Sequence, residues 1–589
     1  MPSSPIQKHL ATFLGTLTTD RLSELIEVLG YADQGEVSVD DVDGGVDVLL
    51  RAQRDDPEGF VAQLRPEEHI RLVDIPSGPG DDSVAEDTLG SMDKGLSQQH
   101  LESHLWEAAN ILRGKIDSSD FKHYIFGLLF YKRLNDVWEE EFRKRFEKDG
   151  DGDYAASPEN RDYDLPLGVL WPSVCWASDR LGDRLNRAFR VIEEKNLQLQ
   201  GLFQGVDFDN QDRFPESTLE RLLRHFERHR LSHADVQADV LGDAYEYLIA
   251  RFADDAGKKG GEFYTPKEVV RLLVDCVAPD EGMGVYDPAC GSGGLLLEAV
   301  NHLRRHGKDA LTLGLYGQEM NLNTWSICRM NLFLHGVSNA SVLRGDTLRD
   351  PLHLDGDGQL LRFDRVLANP PFSLSSWGHE AWEGGDRYGR DKYGIPPRQY
   401  GDMAFVQHML ASLTDAGRMG VVLPLGFGFR EGQEEEMRIG MVRDDLIEAI
   451  IGLPPNLFYG TGIPTCLVIM CRRKPAERQG KILFIDGSRE FVPSKNQNRL
   501  SDDNIDRLAA LFHAFVDEPS VAKVVDFETL EESEFDLTID RYLPPDSAFE
   551  AIDVEEEWQR IQEIHTTLEA HDADLWQRLK DLGFSDIDP

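Results

Sequence analysis

Four consecutive residues, Asn369-Pro370-Pro371-Phe372, directly follow a predicted strand, FDRVLA. Open α/β sheets bind their ligands beyond the carboxyl ends of the strands, so this tetrad places an amide, a carbonyl and an aromatic ring at the active edge. The two prolines stiffen the turn and remove backbone donors, which leaves carbonyl oxygens free to accept hydrogen bonds. The tetrad therefore predicts a site for a hydrogen-bond donor.

The exocyclic amine of a base or an amide fits this description, and it is a poor nucleophile because its lone pair is delocalised. The Asn369 side-chain oxygen and the Pro370 carbonyl can accept from its two N–H groups and hold the lone pair toward an electrophile. The Phe372 ring offers a stacking face, worth about 1–3 kcal/mol per base. An ordinary surface turn is the alternative, and the motifs at the other strand ends argue against it.

A glycine-rich loop joins the predicted strand GVY to the helix LLLEAVNHL. Glycines let backbone N–H groups approach a ligand closely. The loop lacks the G-x-G-x-x-G pattern and a following lysine, so it is not a typical phosphate loop. We expect it to contact a cofactor through Asp287, Pro288, Ala289, Gly291, Ser292 and Gly293.

Acidic residues end the next predicted strands. Glu319, in LGLYGQE, can accept from both hydroxyls of a ribose, and Asp346, in LRGD, can accept from the amino group of an adenine ring. The segment GGEFYTPKE has the pattern of a helix start, with Thr265 as N-cap and Glu268 completing a capping box. Phe263, Tyr264 and Thr265 are also expected to border the cofactor.

The composition limits the classes of function. The net charge is −44, with −13 in residues 1–90 and −19 in 501–589, so the chain is not expected to grip nucleic acid alone through a broad basic surface. Six scattered cysteines form no C-x-x-C, and we expect no metal site. No run of 18 apolar residues or signal-peptide pattern occurs, which predicts a soluble cytoplasmic protein.

Periodicity divides the chain into four predicted parts. Residues 1–90 form an acidic helical accessory module, 97–255 a helical domain, 256–500 an α/β catalytic domain with a parallel sheet, and 501–589 an acidic helical region. Apolar residues recur every seventh position near the C-terminus, which favours packing on another helix of a partner or of this chain. These residues are Val554, Ile561, Leu568, Leu575 and Leu582.

The order DPACGSGG, GQE, GD and NPPF resembles that of the gamma-order amino-methyltransferases. More narrowly, the chain resembles the modification (M) subunit of type I restriction–modification systems over about 97–545, in segments such as LWEAANILRGKIDSSDFKHYIFGLLFYKRL and IEAIIGLPPNLFYGTGIPTCLVIM. The resemblance implies a Rossmann-like S-adenosylmethionine-dependent sheet with an N-terminal helical domain and a C-terminal helical tail. It also implies methylation of adenine N6 in DNA.

Residue roles and partners follow from the same resemblance. S-adenosyl-L-methionine would lie against the glycine-rich loop, Glu319 and Asp346, and the tetrad would hold a flipped adenine. The partners implied are double-stranded DNA, a DNA-specificity subunit and a restriction (nuclease/translocase) subunit. The acidic C-terminal region is unsuited to reading DNA, which independently places sequence recognition on another chain.

Two alternative functions remain open from the sequence. A protein glutamine N5-methyltransferase faces the same chemical problem and carries a similar tetrad, although such proteins are shorter and end the tetrad in Tyr. A non-catalytic scaffold with the methyltransferase fold is the other alternative. The segment 373–400 after the tetrad is rich in tryptophan and arginine and is a candidate for closing on DNA.

Overall fold

The computed structural model describes residues 96–543, except 114–117, 176–179, 211, 257–264, 459–461 and 494–496. Toward the two ends it describes helix α1, Thr19–Val28, and single residues. Phe263 and Tyr264 lie outside the described residues, as do the five members of the C-terminal seven-residue repeat.

Helix α1 confirms the first helix predicted in the acidic module. Leu22, Leu25 and Ile26 are buried along one face. Arg21 donates two hydrogen bonds to the Glu68 carboxylate, at 2.7 and 2.8 Å, which joins the helix to a segment 47 residues away. This part of the chain therefore has a packed face of its own.

Seven further α-helices precede the sheet in the described residues: α2 Gln98–Leu112, α3 Ser118–Asp149, α4 Gly152–Ala156, α5 Trp171–Cys175, α6 Leu181–Lys195, α7 Glu216–Glu227 and α8 Ala238–Ala256. Helix α3 buries an apolar stripe, because residues three and four apart share one helix face. Its buried members include Ile125, Leu128, Tyr131, Leu134, Trp138 and Phe142.

The remaining helices flank the sheet: α9 Lys267–Val277, α10 Gly294–Arg305, α11 Leu322–Leu334, α12 Asp402–Ala411, α13 Gln433–Arg443, α14 Asp502–Ala514, α15 Phe527–Glu532 and α16 Ile539–Tyr542. None of the described helices is both long and apolar enough to cross a membrane.

A nine-stranded sheet forms the second half of the described chain, in the order β3-β2-β1-β4-β5-β7-β6-β8-β9. The strands are β1 Gly284–Asp287, β2 Gly314–Glu319, β3 Ser341–Arg344, β4 Phe363–Ala368, β5 Leu413–Pro424, β6 Ile447–Gly452, β7 Thr465–Cys471, β8 Lys481–Asp486 and β9 Ala522–Asp526. Strands β1 to β5 are mutually parallel along the order, and apolar clusters cover both faces.

The sheet differs from the prediction in two strands. Strand β7 is antiparallel to β5 and β6, so the sheet is mixed rather than parallel. Strand β9 is antiparallel to β8 and lies in the region after residue 500, which was predicted to be helical. That prediction is wrong for 522–526, because the short stretch AKVVD pairs with a sheet edge instead of extending a helix.

A histidine cluster in the helical region makes its stability depend on pH. The His104 ring stacks on His225 at 4.0 Å between ring centroids, and His229 packs edge-on to His104 at 4.6 Å. Burial, with the neighbouring histidines, lowers the pKa of His104 to about 2, and burial also lowers the pKa of His225 and of His229. His104 is therefore neutral in the folded protein near pH 6, and His225 and His229 bind a proton less readily than exposed histidines do.

We expect the free energy of unfolding to fall as the pH drops below about 6.5, the ordinary histidine pKa, because the unfolded chain then binds protons that the folded cluster excludes. Denaturant titrations at pH 7.5 and 5.5 measure this loss. His104→Phe should reduce the difference between the two pH values, and the exposed His306→Gln should not. An unchanged pH slope in His104→Phe would remove the cluster as its source.

Candidate active site

The candidate site lies where the strand order of the sheet reverses. Strand β1 pairs with β2 on one side and with β4 on the other, and all three run in the same direction. Their carboxyl ends therefore meet at one edge, which is where ligands of open α/β sheets bind. Asp287 ends β1, Glu319 ends β2, and Asn369 follows β4. The side chains predicted to act together are thus brought to neighbouring strand ends.

A cavity of about 510 Å³ opens at this edge. Its lining includes ten of the predicted residues: Thr265, Asp287, Pro288, Ala289, Gly291, Ser292, Glu319, Asp346, Asn369 and Pro371. Gly293 and Pro370 belong to the same two turns but are not among the residues that line the cavity. The roles of all these residues remain predictions.

The glycine-rich turn needs two left-handed residues. Gly291 has φ 52° and Gly293 has φ 83°, a region that residues with a Cβ rarely adopt. A Cβ on Gly293 would also lie 2.8 Å from the Cys328 sulfur. Helix α10 begins directly afterwards at Gly294, so the turn brings the backbone to the cavity before the chain enters the helix.

Cys290, within this turn, is not placed as a nucleophile. It is 4% exposed, and its sulfur lies 3.8 Å from the Cys328 sulfur. The hydrogen bond with Cys328, together with burial, raises the pKa of the Cys290 thiol well above its ordinary value. A buried thiol in its protonated form is inert.

A buried carboxylate and a half-buried one end the neighbouring strands β1 and β2. The Asp287 side chain is 1% exposed and accepts from the Ala289 N–H at 3.0 Å. Burial, with the nearby Glu319 charge, raises the pKa of Asp287 to about 8. Glu319 accepts from the Gly291 N–H at 3.1 Å and the Asn321 N–H at 2.8 Å, and burial raises its pKa too. Glu319 thus ties the end of β2 to the glycine-rich turn.

Asp346 follows β3 and has partners on both oxygens. One oxygen accepts from the Leu348 and Arg349 N–H groups at 3.0 and 3.2 Å, and the other pairs with the Arg349 guanidinium at 2.8 Å. Arg349 also pairs with Glu380 at 2.9 Å. A ligand amine at Asp346 must therefore share these oxygens with Arg349, which has a second carboxylate available.

The Asn369 amide has one partnered end and one free end. Its Nδ2 donates to the Thr265 Oγ1 at 2.8 Å, and its buried Oδ1 has no hydrogen-bond partner. The predicted N-cap role of Thr265 is wrong, because helix α9 begins at Lys267 with Pro266 as N-cap and no side-chain cap. The Thr265 hydroxyl turns to the tetrad instead.

The turn after the tetrad is held in an unusual backbone conformation. Ser373 has φ 53°, and its N–H donates to the Asp402 carboxylate at 2.8 Å. Asp402 is itself paired with Arg430 at 2.9 Å. Phe372, just before this turn, is half-buried and packs edge-on against Phe458, 6.1 Å between ring centroids. Phe458, which follows β6, escaped the sequence analysis because it belongs to no tetrad-like pattern.

The segment 373–400 is partly packed onto the protein, and its role in closing on DNA stays a prediction. Trp377, Trp382 and Arg390 are 1%, 0% and 2% exposed. The Trp382 indole donates to the Leu348 carbonyl at 3.0 Å, and Arg390 pairs with Asp386 at 2.7 Å. These tryptophans and this arginine therefore fix the loop that carries Asp346.

The helical region also contributes to the cavity wall. Asp243 and Glu246, one turn apart on α8, line the cavity together with Lys267. The Lys267 ammonium lies 2.6 Å from Glu246 and 3.3 Å from Asp243 and offsets part of their negative charge. His335 completes the group of possible metal ligands found among the described residues. Acidic residues on one helix face are common, so the sequence carried no signal for this wall.

Two family models match separate parts of the chain. Residues 236–550 match the family model described as N-6 DNA Methylase, and residues 101–226 match the HsdM N-terminal domain. The chain belongs to the N-6 DNA methylase family. The predicted adenine-directed DNA methyltransferase and its resemblance to type I modification subunits are both confirmed.

Individual relatives support the same family assignment. The chain is 32% identical over 555 residues to the type I restriction enzyme MpnII methylase subunit of Mycoplasma pneumoniae, covering 84% of this chain and 99% of the relative. It is 32% identical over 498 residues to the MjaVIII methylase subunit of Methanocaldococcus jannaschii, covering 80% and 82%. A crystal structure of a type I methyltransferase subunit from Streptococcus thermophilus superposes with a TM-score of 0.68 at 30% identity, over 76% of this chain and all of that one.

We expect Asp287→Asn to raise the free energy of unfolding at pH 8. The unfolded carboxyl ionises above its ordinary pKa of 3.8, while the folded one keeps its proton up to about pH 8, so the wild type loses stability between those values. Removing the ionisable group should recover more than about 1 kcal/mol, since one pKa unit corresponds to about 1.4 kcal/mol.

Denaturant titrations at pH 5 and pH 8 test this expectation for the cofactor-free protein. The advantage of Asp287→Asn should be larger at pH 8 than at pH 5. Asp357→Asn, in an exposed loop, serves as the control and should change neither value. Equal effects of Asp287→Asn at both pH values would contradict the raised pKa.

Proposed function

We propose that the chain transfers the methyl group of S-adenosyl-L-methionine to adenine N6 in specific DNA sequences, as the modification subunit of a type I restriction–modification complex. One observation carries the residue assignment. The Asn369 Oδ1 is a buried acceptor with no partner, at the end of β4 and on the wall of the cavity. A buried acceptor without a partner costs about 1–3 kcal/mol, a cost that an incoming N–H donor removes.

The cavity wall fits the cofactor by the chemistry of its donors and acceptors. Glu319 offers carboxylate oxygens for the ribose hydroxyls, and Asp346 offers one for the adenine amine. Asp287 and the loop 288–293 would hold the methionine end, where Thr265 also lies. When bound, the cofactor supplies an electrophilic sulfonium methyl group. The protein's part is to hold the methyl and the amine in line, which geometry alone can accelerate strongly.

The tetrad is assigned to the target base. The Asn369 oxygen and the Pro370 carbonyl accept from the two amine hydrogens, which turns the lone pair toward the methyl group. The ring of Phe372, in the tetrad, and the ring of Phe458 have an angle of 72° between their planes, a setting for a stacked base. The base must leave the duplex to reach them, because its amine is otherwise inside the stack.

The partners belong to the same proposal. Double-stranded DNA is the substrate, a DNA-specificity subunit reads the sequence, and a restriction subunit supplies cleavage. The net charge of −44 opposes DNA binding by the chain alone, so positive charge must come from a partner. We further propose the four-part division at 90, 97–255, 256–500 and 501–589, with the last part docking on the specificity subunit through its acidic helical end. A cytoplasmic location stays a prediction.

Membership of the N-6 DNA methylase family argues against protein glutamine methylation. The non-catalytic scaffold makes a different prediction, since it would not bind the cofactor. Calorimetry with S-adenosyl-L-methionine separates the scaffold from the enzyme. Transfer of a tritiated methyl group to DNA or to protein separates the two enzymes.

Asn369→Ala should lower methyl transfer to DNA at least a hundredfold and leave cofactor affinity within about twofold, because the amide is assigned to the target amine and not to the cofactor. Loss of such a positioned contact group costs about this much. Glu319→Ala should do the opposite and weaken cofactor binding. Calorimetry and tritium transfer, with the specificity subunit present, measure both quantities. Near-normal transfer by Asn369→Ala would remove the amide from the mechanism.

The isolated chain should bind DNA weakly and without sequence preference at physiological salt, because its net charge is negative and its acidic C-terminal region is unsuited to reading DNA. A gel-shift assay with target and scrambled duplexes measures this, and adding the specificity subunit should produce the preference. Tight, sequence-specific binding by the chain alone would place recognition in this polypeptide.

A further inference from the structure

We propose that Thr265 is a positioning residue for methyl transfer. Its hydroxyl fixes the Asn369 amide so that the amide oxygen, and not the amide nitrogen, faces the target amine. This inference rests on the proposed function, because it concerns how the acceptor assigned there acquires its orientation. It gives Thr265 a role other than the cofactor contact expected from its position in the sequence.

The contact joins two elements that are far apart in the chain. Thr265 precedes α9 and Asn369 follows β4, 104 residues later, and the Asn369 Nδ2 donates to the Thr265 Oγ1 at 2.8 Å. Both residues line the same cavity. Thr265 has no capping duty, because Pro266 is the N-cap of α9. The hydroxyl thus accepts a hydrogen bond from the amide and does not cap its own helix.

The chemistry requires such a device because an amide has two ends of nearly equal size. Rotation of the amide by half a turn exchanges Oδ1 for Nδ2 with little change in shape. The target amine presents N–H donors, so an amide nitrogen in that place would set donor against donor. In the structure the nitrogen is held by Thr265 and the buried oxygen is left without a partner. By accepting from the nitrogen, the hydroxyl therefore holds the amide in place and leaves the oxygen available to the target amine.

Thr265→Val tests the proposal, since valine keeps the shape and removes the hydroxyl. The assay is single-turnover tritium transfer to a target duplex by the complex with the specificity subunit, at saturating cofactor. We expect the rate to fall about tenfold, the scale of one net hydrogen bond. Cofactor affinity by calorimetry should stay within twofold. Thr265→Ser should restore most of the rate because it retains the hydroxyl.

Two other variants serve as controls for this interpretation. Thr265→Ala removes the hydroxyl without a branched side chain and should also slow transfer, so the test stands if the valine variant folds poorly. Thr414→Val is the matched control and should transfer normally, because Thr414 lies at the other end of the sheet, near the start of β5. Thermal melts of each complex confirm folding.

The outcomes are distinct. A slowed Thr265→Val with unchanged cofactor affinity and rescue by Thr265→Ser supports the proposal. Weakened cofactor binding with a normal saturated rate would overturn it and make Thr265 a cofactor ligand. Equal losses in Thr265→Val and Thr265→Ser, or no loss in Thr265→Val, would overturn it as well. Absence of transfer to DNA adenine by the wild-type complex would overturn the proposed function itself.

Discussion

Backbone pairing between β1 and β4 is the constraint on which the site depends. The register sets Val285 beside Arg365 and Tyr286 beside Val366, so Asp287 and Asn369 leave adjacent strands at one edge of the sheet. The two residues are 82 positions apart in the chain. A shift of this register by one residue would turn the side chains of one strand to the opposite face and separate the cofactor wall from the tetrad.

The same edge concentrates polar groups that burial leaves poorly satisfied. Asp287 is buried with one backbone donor and a raised pKa, and the Asn369 oxygen is buried with none. Each arrangement destabilises the free protein and becomes favourable only when a ligand supplies the missing donors. The packed loop that follows the tetrad, held through Ser373 and Asp402, resists relaxation of this edge. The free protein is thus less stable at this edge of the sheet, where ligand binding is proposed.

The sequence predicted those features that depend on local pattern. The buried stripe of α3 follows from residues three and four apart, and the strand ends follow from short apolar runs before Asp287, Glu319 and Asn369. Features set by distant contacts were not predictable. Thr265 has the local pattern of a cap and instead contacts a residue 104 positions away, and Trp382 looked like a surface aromatic and is fully buried. Secondary-structure propensity does not indicate which distant group will form a hydrogen bond with a side chain.

The helical region and the sheet region share an apolar core as well as a boundary. Helix α11 belongs to the sheet by sequence order, yet Ile327, Met330 and Leu334 on it belong to the apolar core of the helical region. Its Arg329 donates to the Gln200 carbonyl at 2.9 Å, and Lys267 pairs with Glu246 of α8 across the same junction. Because Glu246 also lines the cavity, the packing of the helical region against the sheet fixes part of the cavity wall. The shared apolar core therefore positions polar groups of the cavity as well as joining the two parts of the chain.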